Sequence, residues 1–426
     1  MFIIRVPVRS YYNHILILKK GEKVKETIGD YQAQNKSGAK IVSQLTGHRK
    51  QAPTVMQVLP AMEVGGAEQA VIDISAELAN AGAKSLIVCN GGPRLHDISR
   101  VGGHHINLPV DSKNPVQMVR NIGRIRKLIR DYDVDIVHAR SRAPAWSCYF
   151  ACKHEDVPFV TTCHAPYNIS GALKRAYNSV MAKGDRVIAI SDYVADYLRK
   201  NYKIDENRLN VIYRGIPLEI YHPTTVSPER MIQISKSWRL PDEANIVLLP
   251  GRLTRLKGQH VLIEAMSMVK NKHAFAVILG SDQGRKAYRK ELEDMVSKYG
   301  LENKIRLVDH CRDMPAAYML STIVISASTD PEGFGRVPVE AMAMGRIPIA
   351  TDHGAAKETV LSGETGWLIP PGNATALAAA IDRSLDMDET ERVKMATRGM
   401  ARAQDLFSRE QMVDQTFRVY ADVLKN

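Results

Sequence analysis

The chain reads as an α/β protein built from two doubly wound parallel sheets in succession. Two observations carry that reading. From Thr54 onward, short β-branched runs alternate with helix-length amphipathic stretches. The alternation breaks after Tyr221-His222-Pro223 and then restarts at Asn245. A β-α-β-α rhythm of this kind is the signature of parallel strands joined by crossover helices.

In the first half the rhythm predicts strands over 55–59, 85–89, 135–139, 159–162 and 187–190, with helices over 67–80 and 115–130. Asn80-Ala81-Gly82 supplies a C-terminal glycine for the first helix, and Pro115 suits the opening turn of the second. Residues 223–242 are polar and carry Pro223, Pro228 and Pro241, which predicts an interdomain connection. The second half repeats the rhythm, with strands predicted over 245–249, 275–279, 305–308, 323–326, 347–350 and 367–369. The expected division is a basic extension over 1–52, Rossmann-like domains over 53–222 and 243–400, the 223–242 connection, and C-terminal helices over 401–426. Phe417, Tyr420 and Leu424 are expected to pack back on the first domain. In open α/β sheets ligands bind beyond the carboxyl ends of the strands, so a cleft between the two domains is the expected active site.

Composition narrows the function classes. At 426 residues, 24% charged and 45% hydrophobic, the chain is long enough for two sizeable cores, and disordered or disulfide-scaffold classes are excluded. No apolar run approaches the ~18–20 residues of a membrane span, and Ile15–Leu18 is too short for a signal sequence, so a cytoplasmic protein is expected. The scattered cysteines Cys89, Cys148, Cys152, Cys163 and Cys311 predict reduced thiols and no metal site. Net charge is +12, and residues 1–52 hold ten Lys/Arg against three acids. The rest lacks a basic stripe interleaved with aromatics, so no nucleic-acid partner is expected.

Four motifs carry chemistry. The run from Asp330 to Gly345 reads as a glycine-rich loop entering a helix: Glu332 lies in the loop, Pro338 is expected at the helix's first position, Glu340 in its first turn, and Gly345 just past its end. Loop glycines let backbone N–H groups approach a ligand, and a helix N-terminus favours an anion. The two carboxylates are placed to accept hydroxyls from different parts of one extended ligand. Gly251-Arg252-Leu253-Thr254-Arg255-Leu256-Lys257-Gly258 follows a strand directly, and Arg252 with Lys257 suits a diphosphate. Gly65-Gly66-Ala67-Glu68 opens the first helix but lacks G-x-G-x-x-G, which disfavours a dinucleotide. Thr162-Cys163-His164 ends a buried strand and brings His164 to the same edge as Gly65. Asp133-Val134-Asp135 lies before a strand, away from its carboxyl end, and is not read as a metal motif.

Together, Glu332-x7-Glu340, Gly251-Arg252-Leu253 with Lys257-Gly258, Gly65-Gly66-Ala67-Glu68 and the strand-terminal Thr-x-His resemble family-4 glycosyltransferases of the GT-B fold. The likeness spans about residues 53–400. The stretches from Asp135 to Trp146 and from Leu249 to Leu253 are similar to bacterial transferases of lipopolysaccharide core assembly. The resemblance implies two Rossmann-like domains facing a cleft and a nucleotide-sugar donor, UDP- or GDP-linked. It implies transfer with retention of anomeric configuration and no cofactor or metal. It implies that Arg252 and Lys257 hold the diphosphate and that Glu340 binds the ribose. Glu332, with the amides around Phe334, Gly335 and Arg336, would contact the sugar. Gly65 and Gly66 would close over the phosphates, and His164 would lie beside the anomeric carbon.

The acceptor is then expected on the first domain. Arg140 and Arg142, just past a strand end, are candidates to meet its anionic groups. Helix 115–130, with Arg120, Arg124, Arg126, Lys127 and Arg130 opposite Val116, Val119, Ile122, Ile125 and Ile129, suits an anionic membrane surface, as does helix 173–182. A glycan or glycolipid acceptor at the inner face of the membrane is the resulting expectation. A sugar-nucleotide epimerase and a catalytically silent sugar-binding module are the competing readings.

Overall fold

The computed structural model describes residues 52–425; the basic extension and Ile15–Leu18 lie outside them. The strands are β1 (Thr54–Val58), β2 (Lys84–Cys89), β3 (His104–Asn107), β4 (Ile136–Ala139), β5 (Phe159–Cys163), β6 (Arg186–Ala189), β7 (Leu209–Val211), β8 (Asn245–Pro250), β9 (Ala274–Leu279), β10 (Ile305–Val308), β11 (Ile323–Ser326), β12 (Ile347–Thr351) and β13 (Trp367–Ile369). The α-helices are α1 (Gly66–Asn80), α2 (Leu95–Arg100), α3 (Pro115–Asp131), α4 (Arg142–Glu155), α5 (Ala172–Asn178), α6 (Asp192–Tyr202), α7 (Pro228–Trp238), α8 (Gln259–Met266), α9 (Lys286–Lys298), α10 (Met314–Leu320), α11 (Arg336–Ala343), α12 (Ala356–Thr359), α13 (Ala374–Leu385), α14 (Glu389–Phe407) and α15 (Arg409–Leu424).

Two all-parallel sheets result, ordered β3-β2-β1-β4-β5-β6-β7 and β10-β9-β8-β11-β12-β13. In each, chain order reverses between two central neighbours, β1 beside β4 and β8 beside β11. Loops leaving the carboxyl ends of such a pair diverge to opposite faces and open a crevice. The motifs Gly65-Gly66, Arg140 to Arg142, Arg252 to Lys257 and Glu332 all follow one of these four strands.

Both faces of each sheet are covered, which explains the continuous apolar strands. Along β8, Val247 and Leu249 enter one core cluster while Ile246 and Leu248 enter another. Edge strands β3 and β7 are short and largely half-exposed. The sequence rhythm predicts neither of them.

The chain forms two compact units. One contains Ile216–Ser408; the other contains the described chain up to Gly215 and resumes at Arg409. Three expected boundaries therefore change. Residues 223–242 are not a connection: Pro228 occupies the first turn of α7, where its missing N–H costs nothing, and Met231, Ile234 and Trp238 are buried in a core of the second unit. Proline opens this helix instead of breaking the chain. Helix α14 also stays with the second unit, its Gly399 lying against Met342. Only α15 belongs to the first unit, burying Phe417 and Tyr420 among β1, β5 and β6 residues, with Leu424 partly buried beside them.

Smaller expectations shift too. Helix α11 starts at Arg336, so Pro338 is its third residue and Glu340 lies in its second turn, while Gly345 takes the left-handed conformation just past the end (φ +64°). On α3, Ile125 and Ile129 are buried, but Val116 and Val119 are 60% and 66% exposed. The carboxylate of Asp135 accepts the Thr54 N–H at 2.8 Å, tying β4 to β1 as a structural contact.

Candidate active site

In the second unit the site grows from the turn after β8. Gly251 is held by its N–H to the Leu279 carbonyl (2.8 Å), and a short 3-10 turn over Arg255–Lys257 follows. Gly258 ends that turn at φ +70°, where a Cβ would stand 1.9 Å from the Ala327 carbonyl oxygen. Only glycine fits, so the lysine turn rests directly on the end of β11. The contact places Lys257 Nζ 2.7 Å from Glu332 Oε2 across 75 residues of sequence. The other carboxylate oxygen accepts the Ser328 hydroxyl. Burial pushes the Glu332 carboxyl upward, but the charge and hydrogen bond of Lys257, the Ser328 hydroxyl and His353 outweigh it and hold the group below its usual range. Glu332 is therefore ionised at neutral pH.

Arg252 is exposed, and its carbonyl accepts Gln259 Nε2 at 2.9 Å. Glu340 is 7% exposed and doubly engaged: the Tyr318 hydroxyl donates to Oε2 at 2.7 Å and Arg336 Nη2 reaches Oε1 at 2.9 Å. Gly335 enters α11 at φ +77°. The Phe334 ring is buried edge-on to Phe407, so its side chain anchors the loop.

The first unit presents a different edge. Gly65 caps α1 in extended backbone, and the Glu68 carboxylate folds over it, 2.4 Å from where a Cβ would lie. Burial raises the Glu68 pKa against the pull of Arg214 and Arg94. His164 follows β5, and its Nε2 is buried without a hydrogen-bond partner among the described residues. Burial, then the Arg214 and Arg140 guanidiniums, push this imidazole well below its usual range, so it is neutral at pH 7. Beneath it, His138 on β4 bonds the Tyr420 hydroxyl and the Thr162 hydroxyl, each at 2.7 Å.

The two arginines expected to meet an acceptor are otherwise engaged. Arg140 is 5% exposed and donates to Gln57 Oε1 at 2.5 Å, with Tyr420 also in hydrogen-bond contact. An arginine just past a strand end need not face solvent when the neighbouring strand and the last helix offer it acceptors. Arg142 stacks over the Tyr167 ring (4.1 Å to the centroid) and donates to Asn178 at 2.8 Å.

Known proteins match both units. A model of glycosyl transferases group 1 matches residues 231–402, and one of glycosyltransferase family 4 matches residues 64–220. A glycosyltransferase from Rickettsia africae is 35% identical, over 88% of this chain and all of that one, with a TM-score of 0.84. The chain belongs to the family-4 glycosyltransferases. Its fold is GT-B. The same fold appears in Anabaena HepE bound to UDP-glucose (23% identity, TM-score 0.75, 87% and 99% of the two chains). It appears again in WaaG, a glycosyltransferase of lipopolysaccharide biosynthesis (16% identity, TM-score 0.63, 84% and 98%).

In this transferase, four groups beside the motif residues escape sequence reading. Tyr318 on α10 fixes Glu340, Ser328 and His353 surround Glu332, and Arg214, 6% exposed, lies electrostatically between Glu68 and His164. Only Ser328 had a local signal, four residues before Glu332. Among the described residues no group of His, Cys, Asp or Glu could hold a metal, and no helix is long and apolar enough to cross a membrane.

Proposed function

We propose that this transferase moves a hexose-type sugar from a UDP- or GDP-linked donor to a hydroxyl of a lipopolysaccharide-core or other cell-envelope glycan, with retention and without a metal. The observation that carries the reading is the Lys257–Glu332 pair at 2.7 Å on the switch-point edge of the second sheet. A cation there suits a diphosphate, and a carboxylate accepts sugar hydroxyls. Arg252 shares the diphosphate, Glu340 receives the ribose hydroxyls, and the amides of Phe334, Gly335 and Arg336 line the sugar. As the bond from C1 to the diphosphate breaks, its electron pair goes to the phosphate oxygen, and Lys257 and Arg252 stabilise the growing negative charge. The acceptor oxygen attacks from the same face, and its proton passes to the departing phosphate. Gly65, Gly66 and the neutral His164 serve the first unit's share of donor contact.

The acceptor reading leans on the membrane. Val116, Val119 and Leu173 are exposed apolar side chains on α3 and α5, set among Lys113, Arg120, Lys174 and Arg175. Consecutive α4 residues join these helices, Trp146 Nε1 donating to the Tyr177 carbonyl and Ser147 Oγ to that of Met118, both at 2.9 Å. Apolar side chains ringed by cations suit an anionic bilayer at the inner membrane face.

The test is a thermal-shift panel of UDP, GDP, ADP and their sugars, since a ligand of the folded state raises Tm. Acceptor-dependent nucleotide release in the presence of chelator, with NMR of the new linkage, follows. Free epimer without acceptor would favour the epimerase, and a trapped glycosyl-enzyme adduct would replace same-face attack by double displacement. Sedimentation with phosphatidylglycerol but not phosphatidylcholine vesicles tests the membrane face.

A further inference from the structure

Glu332 is fixed more firmly than a sugar contact needs. Its backbone carbonyl accepts the Ala355 N–H at 3.1 Å. Gly354 (φ +59°) packs so closely that a Cβ would stand 2.7 Å from that carbonyl oxygen and 2.9 Å from the Glu332 nitrogen. Ser328, whose hydroxyl holds the second carboxylate oxygen, is 3% exposed. Its own carbonyl accepts the Thr351 hydroxyl (2.9 Å) and His353 Nε2 (2.8 Å), which must carry the proton in this contact. Lys257 is pinned from the other side by the Gly258 contact and by the Thr329 N–H donating to the Leu256 carbonyl at 2.8 Å. The backbone that carries both members of the ion pair is thus fixed.

We propose that Glu332 is also the internal competitor that displaces the spent nucleoside diphosphate from Lys257, with Ser328 and His353 as its positioning residues. The inference rests on the donor site read above. In this structure the carboxylate already serves as counter-ion to Lys257. An incoming diphosphate meets the same lysine beside a fixed negative charge. While the sugar is attached, its hydroxyls donate to Glu332 and offset the repulsion. Once the sugar has moved to the acceptor those donors are gone, and carboxylate and diphosphate compete again for one cation. A single side chain then favours the loaded donor over the product.

Calorimetric titration of UDP and GDP, alone and as sugar nucleotides, tests this on the full chain. Glu332→Gln keeps the shape and removes the charge. The nucleoside diphosphate that the wild type binds should bind the variant about tenfold tighter, a gain of ~1.4 kcal/mol, while the intact sugar nucleotide gains nothing. Product inhibition should tighten by the same factor. Ser328→Ala should shift affinity in the same direction by about threefold. A misfolded protein cannot bind more tightly, so tightening separates this role from a structural one. Unchanged or weaker diphosphate binding by Glu332→Gln overturns the competitor role and leaves the donor site standing. A wild type that binds neither nucleotide overturns the donor site itself.

Discussion

The two units share a strand order and differ in how they treat charge. At the edge of the second unit charged side chains are paired: Lys257 with Glu332, Arg336 with Glu340. At the edge of the first, imidazoles and guanidiniums are buried against neutral partners, Arg140 on Gln57, His138 between Tyr420 and Thr162. On the proposed function, one edge exchanges a counter-ion with a polyanion. The other sets its guanidinium on neutral acceptors and buries imidazoles that resist taking up protons. A common topology fixes where the loops emerge, and the residues in them decide whether the edge handles charge or geometry.

The strongest way to break this comparison is to neutralise the charged edge. Lys257→Met should lower kcat/KM by ~10²–10³-fold, the range for removing one pre-set stabiliser of developing charge, with some loss of stability because the part-buried Glu332 carboxylate loses its counter-ion. Steady-state kinetics beside thermal unfolding checks it; full activity would remove the charged edge from the chemistry. Next comes the backbone under that lysine. Gly258→Ala forces a left-handed residue and a Cβ 1.9 Å from the Ala327 oxygen, which should cost about 3 kcal/mol in urea unfolding.

Acid should separate the units. Burial pushes His138 and His164 well below the ordinary histidine value of 6.5. Below that pH the unfolded chain takes up protons that the folded first unit refuses. Stability from this source is therefore complete above pH 6.5 and falls as pH drops through it, by up to ~1.4 kcal/mol per pH unit for each histidine. Glu332 has the same sign at lower pH: its lowered pKa stabilises above the usual carboxylate value of 4.5, and that stability is lost as pH falls from there to the lower folded value. Hydrogen exchange at pH 5.5 against 7.5 should show earlier loosening of β4 and β5 than of β8 and β11. Equal loosening would mean that the two edges do not differ in this respect.

How much of this was legible in the sequence follows from distance along the chain. Glu332, Glu340, Arg252 and Lys257 announce themselves because each lies in one local strand–loop–helix pattern. Tyr318 and His353 do not, since nothing near them in sequence says which carboxylate they will face. The contacts of Arg140 are hidden for the same reason: its acceptors lie 83 residues upstream, at Gln57, and on the final helix. Helix α7 was hidden by its prolines, although Met231, Ile234 and Trp238 stand at helical spacing and were the available signal. Strands β3 and β7 are too short and too exposed to give a β-branched run.

The smallest effects sharpen the comparison most, because two tyrosine hydroxyls do the same job at the two edges. Tyr318 donates to Glu340 at 2.7 Å, and Tyr420 bonds His138 at 2.7 Å; both are fully buried. Tyr→Phe removes one oxygen from each and should cost about 1–2 kcal/mol of stability in either case, as for a buried partner left unsatisfied. The kinetic consequences should part. Without Tyr318 the Glu340 carboxylate keeps only Arg336 on its other oxygen, so the proposed ribose contact loosens and donor KM should rise about three- to tenfold, with a smaller change in kcat, as for lost uniform binding. Without Tyr420 the imidazole of His138 loses a partner one residue before the end of β4, and donor KM should stay within about twofold because no charged ligand contact is released. Equal donor KM changes in the two variants would show that the contrast between a charge-handling edge and a geometric one does not reach substrate binding.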